Sequence, residues 1–207
     1  MDNDKAQLFY VHDPMCSWCW GYQPTLERIT ETLNVREIPF KKVLGGLAPD
    51  SEEPMPQQMR LNIEHYWSKI TKLLGTEFNH KFWTQNTPRR STYPACRAVI
   101  VARMHKLETE MNLAIQHAYY LNALNPSDTE ILVKTAESIG INAEEFRSDL
   151  NSPKTDKQLH DEIRFARSIG GNSFPSWILV SGKQAKSLPL DYKNEAALLK
   201  EIDRAFA

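Results

Sequence analysis

Two cysteines two residues apart, in Cys16-Ser17-Trp18-Cys19, are the groups in this sequence best suited to chemistry. Thiols at that spacing close a small disulfide ring only if the backbone between them is already bent, and the first turn of a helix supplies the bend. A helix start also offers free amide donors and the positive end of the helix dipole. Both favour a thiolate at the first cysteine and bring its pKa below the free value of about 8.5. Cys16 is therefore the expected nucleophile, at a junction where solvent can reach it. Cys19, one turn deeper, is the expected resolving thiol, which attacks the mixed disulfide on Cys16 and releases the reduced partner. Zinc binding competes with this reading. Zinc takes four ligands, usually as two close pairs. The sequence has no second Cys-x-x-Cys or Cys-x-x-His, so His12, Cys96 or a distant histidine would have to complete the set. With three cysteines in all, a four-cysteine iron-sulfur cluster within one chain is excluded, and a structural disulfide framework is not expected. A pair of inert core cysteines fits poorly at a helix start.

The elements around the pair must hold it in that geometry. Leu8 to His12 is a short apolar run rich in strand formers, ended by the turn signal Asp13-Pro14. After the cysteines, Trp20, Leu26, Ile29 and Leu33 recur at helical spacing. The order is strand, Cys-x-x-Cys, helix. A second strand is expected from Ile38 to Leu44, closed by Gly45-Gly46. Strand signals then vanish. Met59, Ile63, Trp67, Ile70 and Leu74 share one helical face, and further helices are expected from Ala95 to Leu107 and from Met111 to Ala123. Ser127-Asp128-Thr129-Glu130 reads as a capping box and Asn142 as a second cap. Leu159, Ile163 and Ala166 give another helix, stopped by Gly170-Gly171. Strand character returns at Pro175 to Val180, with a hairpin partner expected at Lys186 to Leu190 and a last helix capped by Asn194. The expected organisation is one unit from residues 1–50 and 155–207 around a helical insertion, residues 51–154.

The 207 residues suffice for one domain with a large insertion. A net charge of -1 offers no concentrated positive surface for nucleic acid or membrane. The first residues, Met1-Asp2-Asn3-Asp4-Lys5, are acidic where a secretion signal is basic, and the apolar run from Leu8 to Val11 is too short for its core. A cytoplasmic location is therefore expected.

Asp13-Pro14-Met15-Cys16-Ser17-Trp18-Cys19-Trp20-Gly21 and Phe174-Pro175-Ser176, with Thr92 to Ala98 in weaker support, resemble the DsbA-like thioredoxin superfamily. The nearest branch is the cytoplasmic one of FrnE and the 2-hydroxychromene-2-carboxylate isomerases. The resemblance implies an α/β thioredoxin fold, a central mixed sheet flanked by helices with an all-helical insertion. It implies a thiol-disulfide oxidoreductase of the reductase or isomerase type, with no bound cofactor, acting on a disulfide-containing protein or small molecule. Pro175 matches the cis-proline that faces the cysteine pair, and Phe174 before it would offer backbone groups to substrate. Trp18 is an expected docking lip, and Ser17 would tune the thiolate. The isomerases and kappa-class glutathione transferases share the architecture but carry serine where Cys16 stands. They leave a glutathione-dependent isomerase or transferase as an alternative, and glutathione as candidate co-substrate or reductant. A zinc-binding or redox-sensing module is the second alternative.

Other residues are set aside as structural. His12 is a candidate proton shuttle or thiolate partner, but a strand-end histidine with a satisfied hydrogen bond is the simpler expectation. Asp13 reads as a turn residue, Trp20 as core and Cys96 as a small buried hydrophobe; Arg89-Arg90 could attract an anionic substrate such as glutathione, but a solvated pair is the simpler expectation.

Overall fold

The computed structural model describes residues 6–206, so the acidic residues Met1 to Lys5 lie outside the description. Strand β1, Gln7–His12, lies at the centre of the sheet. It pairs in parallel with β2, Phe40–Leu44, and antiparallel with β3, Ser176–Ser181. β3 pairs with β4, Gln184–Ser187, giving the order β2-β1-β3-β4. The expected first, second and third strands are found within two residues. The hairpin strand begins earlier than Lys186, because the turn at Gly182 (φ 57°) is tight enough for Ser181 to pair with Gln184 at once.

Helix α1, Ser17–Val35, follows β1 directly. Between β2 and the rest of the sheet come α2 (Gln57–Leu74), α3 (Phe82–Gln85), α4 (Tyr93–Met104), α5 (Glu108–Gln116), α6 (Thr129–Ser138) and α7 (Ala143–Leu150). Helices α8, Pro153–Ser168, and α9, Ala196–Phe206, complete the chain. The helix expected from Met111 to Ala123 is α5 running into a π-helical turn, His117–Leu121.

Alternation along β1 sorts its side chains between the two faces of the sheet. Leu8 and Tyr10 pack with Tyr22, Leu26, Ile29 and Leu33 of α1 and with Leu198 and Ile202 of α9. Phe9 and Val11 pack with Val43, Ile178 and Ala166 of α8. The helices from α2 to α8 share a third core built around Trp67, Trp83 and Tyr120. On α1 it is Cys19 and Tyr22 that face inward with Leu26, Ile29 and Leu33. Trp20, expected in the same row, turns toward the helical core and stacks on Tyr120 at 5.8 Å, its Nε1 donating to the Glu77 carbonyl at 3.0 Å. On α2, Trp67 and Ile70 are buried as expected, whereas Met59 is exposed.

Two of the three expected caps form. The Asn142 side chain accepts from the amides of Glu144 and Glu145, and Asn194 accepts from Ala196 N. The capping box at Ser127 does not form. The Ser127 hydroxyl donates to the Ser91 carbonyl, and Asp128 takes the N-cap position with its carboxylate held by Arg89 at 2.5 Å.

Candidate functional site

The end of β1, the start of α1, the loop after β2 and the loop before β3 meet at one place. Cys16 is the N-cap of α1, in extended backbone (φ -82°, ψ 115°), and its amide donates to the Asp13 carbonyl at 3.1 Å. Its sulfur lies 3.6 Å from the Phe174 carbonyl, to which the thiol donates. The Phe174-Pro175 peptide bond is cis, the isomer the family resemblance implies. Gly45 lets Phe174 approach, since a Cβ at position 45 would lie 1.9 Å from the ring. The Arg167 guanidinium covers that ring at 5.3 Å and donates to the Gly45 and Gly171 carbonyls, tying α8 to both loops.

Cys16 is only 7% exposed, more enclosed than a helix start suggests. Phe174 lies against it. What opens onto it is a cavity of about 350 Å³ shared by Trp18, Ile63, Tyr66, Arg90 and Phe174. Cys19 is 2% exposed and faces the sheet. The three cysteines are free thiols. The Cys16 thiol is held below its ordinary value, first because the Cys19 side chain donates to it. The amides of Cys19 and Trp18 add to this, while burial and the Asp13 charge oppose it. Burial pushes the Cys19 thiol far up, and the bond to Cys16 and its charge push it further. The pair is thus polarised, with one sulfur poised to ionise and the other holding its proton.

Asp13 is more than a turn residue. It is fully buried and accepts four bonds: Met15 N (2.8 Å), Leu47 N (2.7 Å), the Thr92 hydroxyl (2.7 Å) and the Cys96 thiol (3.4 Å). Burial raises its carboxyl, and these bonds pull it back. Because every partner donates, the carboxylate form is the one the site accommodates. It joins the turn before Cys16, the loop after β2 and the start of α4. Cys96 is buried as expected, but as a thiol donor to Asp13.

His12 departs from its expectation. It is 2% exposed, stacks on Tyr10 at 5.4 Å, and its Nε2 has no hydrogen-bond partner. Burial, then the charges of Lys42 and Arg103, lower its pKa to about 3, so it is neutral. Trp18 is half-buried against Tyr192 at 5.2 Å, beside the cavity rather than as a free lip. Ser17 lines the same cavity. The two arginines divide. Arg89 bonds to Asp128 and the Ser127 carbonyl, whereas Arg90 faces the cavity at Cys16. Neither is simply solvated. Among the described residues no third ligand converges on the cysteines. The one cluster that does converge, His105, Glu145 and Asp149, is elsewhere and contains no cysteine.

The sequence reading missed Ile63 and Tyr66 at the cavity beside Cys16 and Lys42, Asn112 and Gln116 beneath Cys19, and it favoured the solvated reading for Arg90. Asn112 and Gln116 left a signal, two amides four residues apart interleaved with buried Met111 and Ile115, which puts polar groups on a core-facing stripe.

No helix of the described residues is long and apolar enough to cross a membrane. Among curated proteins, the chain is similar to the ClpXP adapter protein SpxH of Halalkalibacterium halodurans, 22% identical over 178 residues, which cover 83% of this chain and 58% of that protein. The chain thus spans less than two thirds of the relative's length. Among solved structures, a "putative protein disulfide isomerase" of Nitrosomonas europaea superposes with a TM-score of 0.79 at 25% identity, covering 97% of both chains. The cytosolic disulfide reductase DsbM of Pseudomonas aeruginosa follows at 0.76 and 22%, covering 97% of this chain and 100% of that one. It has also been solved with GSH. At that identity DsbM supports the fold alone. The thioredoxin family model matches residues 9–195, from the central strand to the foot of α9. The chain therefore belongs to the thioredoxin family, as a DsbA-like member of that superfamily.

Proposed function

We propose that this protein is a thiol-disulfide oxidoreductase of the disulfide reductase or isomerase type. The observation that carries the reading is the polarised pair: Cys16 at a helix N-cap with its thiol held down, beside the Phe174 carbonyl and a cis-proline, and Cys19 beneath it with its thiol held up. In the forward half-reaction the Cys16 thiolate attacks a substrate disulfide. A Cys16–substrate bond forms and one substrate thiolate leaves. Cys19 then attacks Cys16 Sγ, closing the internal disulfide and releasing the second thiol. Phe174 and Pro175 would hold an extended substrate segment, Trp18 would pack beside it, and Ser17 would tune the nucleophile. In a compartment kept reducing, net flow would run toward substrate reduction.

The test is insulin-disulfide reduction with a thiol reductant. Activity should vanish in Cys16→Ser, and Cys19→Ser should accumulate a mixed disulfide visible by mass. Full activity in Cys16→Ser would overturn the reading.

Glutathione is the small thiol this reading favours as co-substrate. A cavity of about 350 Å³ beside Cys16 with Arg90 in its wall suits a small anionic thiol. Conjugating activity that survives Cys19→Ser would favour the glutathione-dependent isomerase or transferase instead. A second reading is supported by the similarity to SpxH adapters: the protein binds a protein partner without turnover. Partner binding unchanged in Cys16→Ser, with no reductase activity in the parent, would favour it.

A further inference from the structure

Resolution of a mixed disulfide needs a proton to leave Cys19, and Cys19 faces away from the substrate cavity. This inference rests on the redox reading of the pair. On its inner side Cys19 lines a second, separate cavity with His12 of β1, Lys42 of β2 and Asn112 and Gln116 of α5. Three of these residues carry buried polar atoms without a partner: His12 Nε2, Asn112 Oδ1 and Gln116 Oε1. Buried polar atoms are nearly always paired, and three orphans on residues around one void call for a shared ligand. The void measures about 10 Å³, the lower bound for a single ordered water. Both amide oxygens are acceptors, and a water between them can donate to both while accepting from a thiol.

The opposite end of the cavity reaches the surface. Lys42 is half-buried, and its Nζ donates to the exposed Thr109 hydroxyl at 2.8 Å. His12 is a poor destination for the proton, because its burial keeps it neutral with a pKa near 3. Lys42 lines the same cavity as Cys19 and carries it to the surface at Thr109.

We propose that this cavity holds one ordered water that receives the Cys19 proton and passes it to solvent at the Lys42–Thr109 edge. Asn112, Gln116 and His12 are positioning residues for that water. In the step it serves, the Cys19 S–H bond breaks and the proton goes to the water. The sulfur electron pair forms the Cys16–Cys19 bond, and the bond from Cys16 to the substrate sulfur breaks with its pair leaving as thiolate.

The experiment is a single turnover of the full reduced chain with dithionitrobenzoate, whose coloured thiolate is released once by Cys16 and again by Cys19. Gln116→Met and Asn112→Leu keep side-chain shape and remove the acceptors. The second release should slow by about tenfold or more while the first stays within about twofold. The pH profile of the second release should shift upward by about one unit in both variants. The charged and titratable groups around Cys19 are Tyr10, His12, Asp13, Cys16, Lys42, Tyr120 and Tyr192. Burial pushes the tyrosines and Cys19 up and holds His12 down, and Asp13, raised, and Lys42, lowered, are the same in parent and variants, so Cys16 ionises first and the shift in the second release is read on the alkaline side of its profile. A second release unchanged in rate and profile, or both releases slowed alike, overturns the proposal. His12→Phe gives an independent third variant should either α5 substitution prevent folding. If the unsubstituted chain shows no first release, the redox reading fails, and this inference with it.

Discussion

Replacing His12 with phenylalanine should flatten the acid limb of the stability curve. His12 is buried in β1, stacked on Tyr10, and neutral, with its pKa lowered from 6.5 to about 3 by burial and by the charges of Lys42 and Arg103. The unfolded chain takes up a proton on this side chain below its ordinary value, whereas the folded chain does so only near 3. Between those values the unfolded state binds more protons, so falling pH favours unfolding. The stability from this source is complete above the unfolded pKa and is lost as pH falls toward the folded one. The slope approaches about 1.4 kcal/mol per pH unit, and between about pH 7 and pH 5 the integrated loss is about 2 kcal/mol. Phenylalanine keeps a ring against Tyr10 and cannot titrate. Urea unfolding of both proteins across that range isolates the effect. Contributions from other histidines and carboxylates are common to both and cancel in the difference of differences. The parent should lose about 2 kcal/mol more than His12→Phe over that interval. Parallel pH dependences would refute the claim that His12 is buried neutral, and with it the account of the cavity beneath Cys19.

Asp13→Ala leaves the amides of Met15 and Leu47 and the Thr92 hydroxyl buried without their acceptor, and should lower stability by about 3 kcal/mol or more by urea unfolding. Where the variant stays folded, Cys16 alkylation should reach half-maximal rate at lower pH, because the Asp13 charge raises that thiol. Gly45→Ala places a Cβ 1.9 Å from the Phe174 ring. It should cost about 1–3 kcal/mol in a thermal melt and reduce kcat/KM for any disulfide substrate by displacing the loop before β3. Arg90→Met should raise KM about tenfold for oxidised glutathione and leave a neutral small disulfide unaffected.

The strand, the cysteine pair and the helix after it were legible because each rests on a local signal. β-branched and aromatic residues end at Asp13-Pro14, two thiols follow two residues apart, and apolar residues recur every three or four along α1. Local chemistry likewise placed Cys16 at a helix start and Asn142 at a cap. The π-helical turn after Gln116 left no such mark, since a continuous apolar period reads as one unbroken helix. The capping box at Ser127 failed for a related reason. The Ser127 hydroxyl was taken by the Ser91 carbonyl, 36 residues away in the chain, which sequence spacing does not bring near.

The sequence by itself determined that Cys16 stands at the helix start and Cys19 one turn deeper, because both follow from position along one helix. Alternation along β1 likewise puts Leu8, Tyr10 and His12 on one face of the sheet and Phe9 and Val11 on the other. Only the tertiary structure decided what those faces meet. Asp13 finds Leu47, Thr92 and Cys96, and His12 shares a void with Lys42, Asn112 and Gln116. Arg90, next to the structurally bound Arg89, turns into the cavity at Cys16. These partners are set by how α4, α5 and the loops pack on the sheet. Burial and the supply of hydrogen-bond partners come from elements far apart in the chain, and a local pattern carries no record of them.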